Sequence, residues 1–70
     1  MTPEEIHLGM KVVDRYSGFH GIVIGKAEFL SGRVDVMVQP LAHQNQYVEG
    51  HWFDSFRILE VKQEAKNGKE

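Results

Sequence analysis

The sequence contains no cysteine. It therefore has no disulfide framework, no thiolate nucleophile and no thiolate metal site, and its stability has to come from packing. No apolar run approaches the ~18 residues of a membrane span. The opening Met1-Thr2-Pro3-Glu4-Glu5 lacks the basic and apolar regions of a secretory signal, so a cytoplasmic location is the expectation. Excess positive charge is missing too. Ten Asp and Glu stand against eight Lys and Arg, for a formal charge of −2. That balance argues against a non-specific nucleic-acid binder or a protein held on an anionic membrane.

What is present points to one small domain. Seventy residues, 41% of them apolar, are too few for two domains and too apolar for a disordered chain. A domain of this size buries only about 60% of the surface its unfolded chain exposes, so nearly every large apolar side chain is needed in the core. Little stability is left for a strained or desolvated catalytic pocket. The expectation is a protein that is not an enzyme and carries no cofactor.

Strand signals run through most of the chain. Lys11-Val12-Val13-Asp14 is short and β-branched, and the turn cluster Tyr16-Ser17-Gly18 follows it. The segment Phe19 to Phe29 is rich in Ile and Val. On a period of two, Gly21, Val23, Gly25, Ala27 and Phe29 share one face, and Ile22, Ile24, Lys26 and Glu28 share the other. Glycines inside strands mark bulges or tight bends, and Gly21 and Gly25 are read that way. Leu30-Ser31-Gly32 is a hairpin connection. Arg33 to Gln39 shows the clearest alternation, with Val34, Val36 and Val38 inward and Arg33, Asp35, Met37 and Gln39 outward. Pro40 ends that strand.

Residues 41–50 are polar and aperiodic, the longest loop. His51-Trp52-Phe53-Asp54 reads as a fourth strand. Asp54-Ser55-Phe56-Arg57 reads as one helical turn capped by Asp54. Ile58 to Val61 closes as a fifth strand. Lys62 to Glu70 has one apolar residue in nine and is expected to be disordered. The domain is thus residues 1–61 and the tail 62–70. Five short strands with a one-turn helix before the last predict an all-β fold, a small, partly open SH3-like barrel. An oligonucleotide-binding-type barrel is the runner-up, but it needs a helix that residues 41–50 are too polar to supply.

Two resemblances follow. The stretch Val12-Val13-Asp14-Arg15-Tyr16-Ser17-Gly18-Phe19-His20-Gly21-Ile22-Val23-Ile24-Gly25 is similar to the KOW-type hairpin of SH3-like domains in ribosomal proteins and transcription elongation factors. It covers about a fifth of the chain and speaks for backbone shape more than for RNA binding; the dense lysine and arginine of those relatives is missing. Residues 6–61 resemble a group of small proteins of tailed phages and prophages. The shared features are Gly18-Phe19-His20-Gly21, Ala27-Glu28-Phe29-Leu30, Gln39-Pro40 and Trp52-Phe53-Asp54. This resemblance implies a genomic setting and carries over no catalytic residue.

Most of the chemically capable residues have ordinary structural roles open to them. His7, His20, His43 and His51 lack the spacing that sets metal ligands side by side, so no metal site is expected. Asp14, Glu28, Asp35, Glu49 and Asp54 show no paired-carboxylate arrangement, and Asp14 and Asp54 suit capping roles. Ser17, Ser31 and Ser55 have no nucleophile context. Seven aromatics remain the best lead. Phe19, Phe29, Phe53 and Phe56 are read as core, while Tyr16, Tyr47 and Trp52 are candidates for an exposed surface because Tyr and Trp favour a wet end. Ile22 and Ile24 form an apolar patch if they stay uncovered. A bulge at Gly25 that swaps the faces would bury both, and burial is the favoured reading.

The function expected is a binding module that uses Tyr16, Tyr47 and Trp52, with Arg15 and Arg33 beside them, on a protein partner. That partner is either a host factor or a second copy of the chain. Nucleic-acid binding, with Lys11, Arg15, Lys26 and Arg33 gathered on one side, is the alternative that the charge disfavours. Capture of a small ligand between subunits of an oligomer is the other, and no membrane association is expected.

Overall fold

Valine at every second position of 34–38 forces one side of that segment out of water, and a sheet forms around it. The computed structural model describes residues 1–41 and 48–62. Its strands are β1 (Lys11–Asp14), β2 (His20–Glu28), β3 (Val34–Gln39), β4 (His51–Asp54) and β5 (Ile58–Glu60). Single 3-10 turns occupy Pro3–Glu5 and Ser55–Arg57. The first of these turns was not foreseen. The strands make one antiparallel sheet in the order β4-β3-β2-β1-β5.

That order has a geometric consequence. Four strand spacings of ~4.8 Å would set the edges of a flat sheet about 19 Å apart. The chain crosses from edge strand β4 to edge strand β5 through Ser55–Arg57 alone. Four residue steps reach at most about 14 Å even when fully extended. The sheet therefore cannot be flat and must curl until its edges approach. It does not close, because no pairing joins β4 to β5 among the described residues.

The curled sheet encloses Ile6, Val12, Val23, Val36, Val38 and Ile58, and Met1, Met10, Phe19 and Phe53 pack against them. The Lys26 ammonium ties down the N-terminal segment, donating to the Pro3 carbonyl at 2.9 Å and the Ile6 carbonyl at 3.0 Å.

The two strand glycines differ in what they do. Pairing steps from Val23↔Val38 directly to Gly25↔Met37, which leaves Ile24 as the extra residue of a bulge. Beyond the bulge, Lys26 faces the same side as its partner Val36, and Gly25 faces outward with Met37. The bulge therefore occurs, yet it does not bury the isoleucines as favoured above. Ile24 is 53% exposed and Ile22 is half-buried. Gly21 is a point of close approach instead of a bend: a Cβ there would stand 2.6 Å from the Gln39 carbonyl carbon and 2.9 Å from the Pro40 Cα.

Three further expectations need correction. Phe29 and Phe56, read as core, are exposed. Phe29 ends a hairpin with Arg33 stacked over its ring, and in the turn after β4 the small Ser55 takes the buried position while Phe56 points away. Asp35 lies on the outer face as expected but is buried, because Arg33 covers it with two hydrogen bonds of 2.8 Å.

Candidate functional site

Asp14 ends β1 and organises the turn that follows. Its Oδ2 accepts the Ser17 amide at 2.8 Å and the Ser17 hydroxyl, and its backbone carbonyl accepts the Gly18 amide at 2.9 Å. Gly18 takes φ +80°, a conformation L side chains rarely adopt, which lets residues 15–18 close so tightly. The second anchor comes from the far end of the chain. Asp54 caps the turn after β4 by accepting the Phe56 amide at 3.2 Å, and that turn delivers Arg57 beside Asp14. Arg57 Nε donates to Asp14 Oδ1 at 2.7 Å and Nη2 to Oδ2 at 2.8 Å.

The Asp14 side chain is wholly buried, whereas the Arg57 side chain keeps 35% of its surface in solvent. The Arg57 hydrogen bonds hold the Asp14 carboxyl well below the usual carboxylate range. Burial opposes them and the Ser17 bonds add to them. The same pairing raises the Arg57 guanidinium further above its already high value. The carboxylate is therefore ionised at every physiological pH, and the pair presents its cationic end outward.

Aromatic rings surround that end. The Arg57 guanidinium lies 5.2 Å from the Tyr16 ring centre and 5.5 Å from that of Phe53. Tyr16 meets Phe56 edge to face at 6.3 Å. Phe53 meets Phe19 at 5.4 Å, and Phe19 meets His51 at 5.2 Å. These contacts link Tyr16, Phe56, Arg57, Phe53, Phe19 and His51 into one continuous surface. Its outer members are Tyr16, 65% exposed, Phe56, 55% exposed, and at the far end the exposed His51. A hollow of about 590 Å³ opens beside Phe19, between the Ser17–His20 turn and Pro40–Leu41.

The expected site residues divide between faces. Tyr16 belongs to this surface. Arg15 adjoins it through its backbone, donating its amide to the Arg57 carbonyl at 2.8 Å, and its side chain is exposed. Trp52 does not join them. It is paired with Met37, which is paired with Gly25, so it stands on the outer face of the sheet with Ile24. Arg33 is on that outer face as well, engaged with Asp35, with the Phe29 ring and, at 3.9 Å, with Asp54. Its guanidinium is raised by Asp35, whose own carboxyl is lowered in return. Tyr47 lies outside the described residues.

The sequence reading missed Phe56 and Arg57 as surface members. The Asp54 cap was the usable signal for Phe56, since a single capped turn between two short strands has only one buried side. Nothing local marks Arg57 as the partner of a residue 43 positions away.

Among the described residues no group of three or more His, Asp or Glu is placed to hold a metal, and no helix is long and apolar enough to cross a membrane. Comparison with known proteins finds no matching family model, no matching curated protein and no matching solved structure.

Proposed function

We propose that this chain is a non-enzymatic binding module, a partly open SH3-like barrel of the phage and prophage kind, that recognises a protein partner through the Tyr16–Phe56 surface. The observation that carries this reading is a pair of large rings exposed and yet held in place. Exposed aromatics on a mobile loop lose entropy when they bind. Tyr16 and Phe56 are braced in advance by each other and by the Arg57–Asp14 pair, so a partner would meet a preformed surface. The curl of the sheet and the single turn between β4 and β5 support the barrel assignment, and the KOW-like hairpin of residues 12–25 agrees with it. Affinity selection from a random peptide library tests the function. Selected peptides should lose at least about tenfold in affinity against a Tyr16→Ala, Phe56→Ala double variant that melts cooperatively. Failure to select any peptide, or affinities indifferent to the double variant, would refute the proposal.

A second reading draws on the same observation, because rings beside a guanidinium also suit stacking with unpaired bases. The net charge of −2 opposes it. Anisotropy of a labelled single-stranded oligonucleotide at low salt decides the matter, and an unchanged signal there removes this alternative.

A further inference from the structure

The Tyr16–Phe56 surface is asymmetric in charge, and the asymmetry indicates what kind of partner it accepts. The two carboxylates nearest to it are both engaged. Asp14 is buried and saturated by Arg57 and Ser17. Asp54 caps the Phe56 amide and lies 3.9 Å from Arg33. The cations keep unused capacity. Arg57 donates to Asp14 through Nε and Nη2 alone, which leaves Nη1 without a partner among the described residues on a side chain one-third exposed. The Arg15 side chain is exposed and has no partner among the described residues either. The Tyr16 and Phe53 rings and the two bonds to Asp14 fix the Arg57 fork, so ordering it on binding costs little.

We propose that the partner is an acidic peptide segment, in which an Asp or Glu carboxylate engages Arg15 and the free edge of Arg57 while a neighbouring apolar side chain lies against Tyr16 and Phe56. This rests on the reading of that surface as the recognition site. A basic ligand would bring its charge against the Arg57 guanidinium, and the carboxylates that act on that group, Asp14 and Asp54, are already engaged. A neutral apolar ligand would satisfy the rings and leave both cations unpaired. Charge-assisted bonds from a planar fork favour carboxylate over either.

The test uses three labelled peptides of one length and one apolar residue, differing only in their flanks: Glu on both sides, Gln on both sides, or Lys on both sides. Each is titrated into the full chain, with affinity read by fluorescence anisotropy and location by amide chemical-shift changes. The Glu peptide should bind roughly tenfold or more tightly than the Gln peptide, and its affinity should fall as salt rises. Arg15→Glu should remove that preference for the Glu peptide over the Gln peptide. Arg15 serves for this test because its side chain makes no contact that the fold depends on. Equal binding of the Glu and Gln peptides, tighter binding of the Lys peptide, or no binding of the Glu peptide would each overturn the inference. The shifts separate its failure from that of the site. A Gln or Lys peptide that binds at least as tightly as the Glu peptide and moves the Tyr16 and Phe56 amides keeps the surface and rejects the acidic partner. Shifts confined to other parts of the sheet reject both.

Discussion

Replacing Gly21 by alanine should nearly unfold this domain, whereas the same change at Gly25, four residues along the same strand, should leave it intact or firmer. At Gly21 the added carbon would stand 2.6 Å from the Gln39 carbonyl carbon, closer still to its oxygen, and 2.9 Å from the Pro40 Cα. Ordinary contact begins at 3.4 Å, so the end of β3 has to retreat by at least about 0.8 Å to clear the carbon, and further to clear the oxygen. Both obstacles are backbone, and the chain there is held by β2 and β4 pairing on either side of Val38. No flexible side chain can swing away. Overpacking of this kind costs ~1–3 kcal/mol, and a rigid obstacle puts Gly21→Ala near the upper end. For a domain of this size ~3 kcal/mol corresponds to a Tm lowered by roughly 12–24 °C. At Gly25 the new methyl meets Met37 Cβ at 3.7 Å and Trp52 Cη2 at 3.9 Å, which is normal packing, and the backbone is not left-handed. There the loss of unfolded-state freedom dominates and is worth ~0.4–1 kcal/mol, a Tm unchanged or raised by roughly 2–8 °C. Thermal unfolding followed by far-UV circular dichroism measures both. Equal losses at the two positions would refute the argument, because they would show that each glycine serves only to bend the strand.

Ile58 has no exposed surface and seals the core at the start of β5, so Ile58→Ala should cost ~2–5 kcal/mol and lower the urea midpoint without altering the denaturant slope. Asp14 carries a depressed folded-state pKa against an unfolded value near 3.8, so its contribution is complete above pH ~4 and is lost as pH falls toward the folded value. Urea midpoints of the native chain should therefore drop steeply between pH 4 and pH 2, and those of Asp14→Asn, already lower at pH 7, should drop less; parallel curves would contradict the assignment. Trp52 is the sole tryptophan and 51% exposed on the outer face, so acrylamide should quench native-state fluorescence readily. Emission shielded until unfolding would place the indole inside instead.

Much of this architecture was legible because it rests on local patterns. The alternation at Val34, Val36 and Val38 marks a half-buried strand wherever it occurs, and Asp54 announces the turn it caps. The bounds of β1 and β4 followed from β-branched and aromatic runs ended by polar residues. What could not be read depends on partners distant in the chain. Gly21 and Gly25 look alike along the strand, and only the passage of Gln39–Pro40 over one of them separates a contact from a bulge. The bulge residue Ile24 is exposed because Met37 faces two residues at once, a property of the pairing and not of Ile24. Asp35 was placed on the correct face and misjudged in exposure, since the Arg33 that covers it is also its near neighbour in sequence and reads equally well as a separate charge. Tyr16 was identified for a sound reason, its preference for a wet boundary. Its association with Phe56 rather than Trp52 follows from the turn after β4, which brings Phe56 edge to face with Tyr16, while Trp52 is paired with Met37 within the sheet.

The place of β5 in the sheet has a bearing on biosynthesis. Val12, near the front of the chain, is matched with Glu60, and Ile58 fills the centre only after every other strand has left the ribosome. Until then β1 to β3 form a meander with one oily side uncovered and the outer rim of β1 unoccupied. Such a nascent intermediate is prone to stick to its neighbours, so a ribosome stalled a few codons short of β5 would release a product that clumps instead of a smaller working version of the domain.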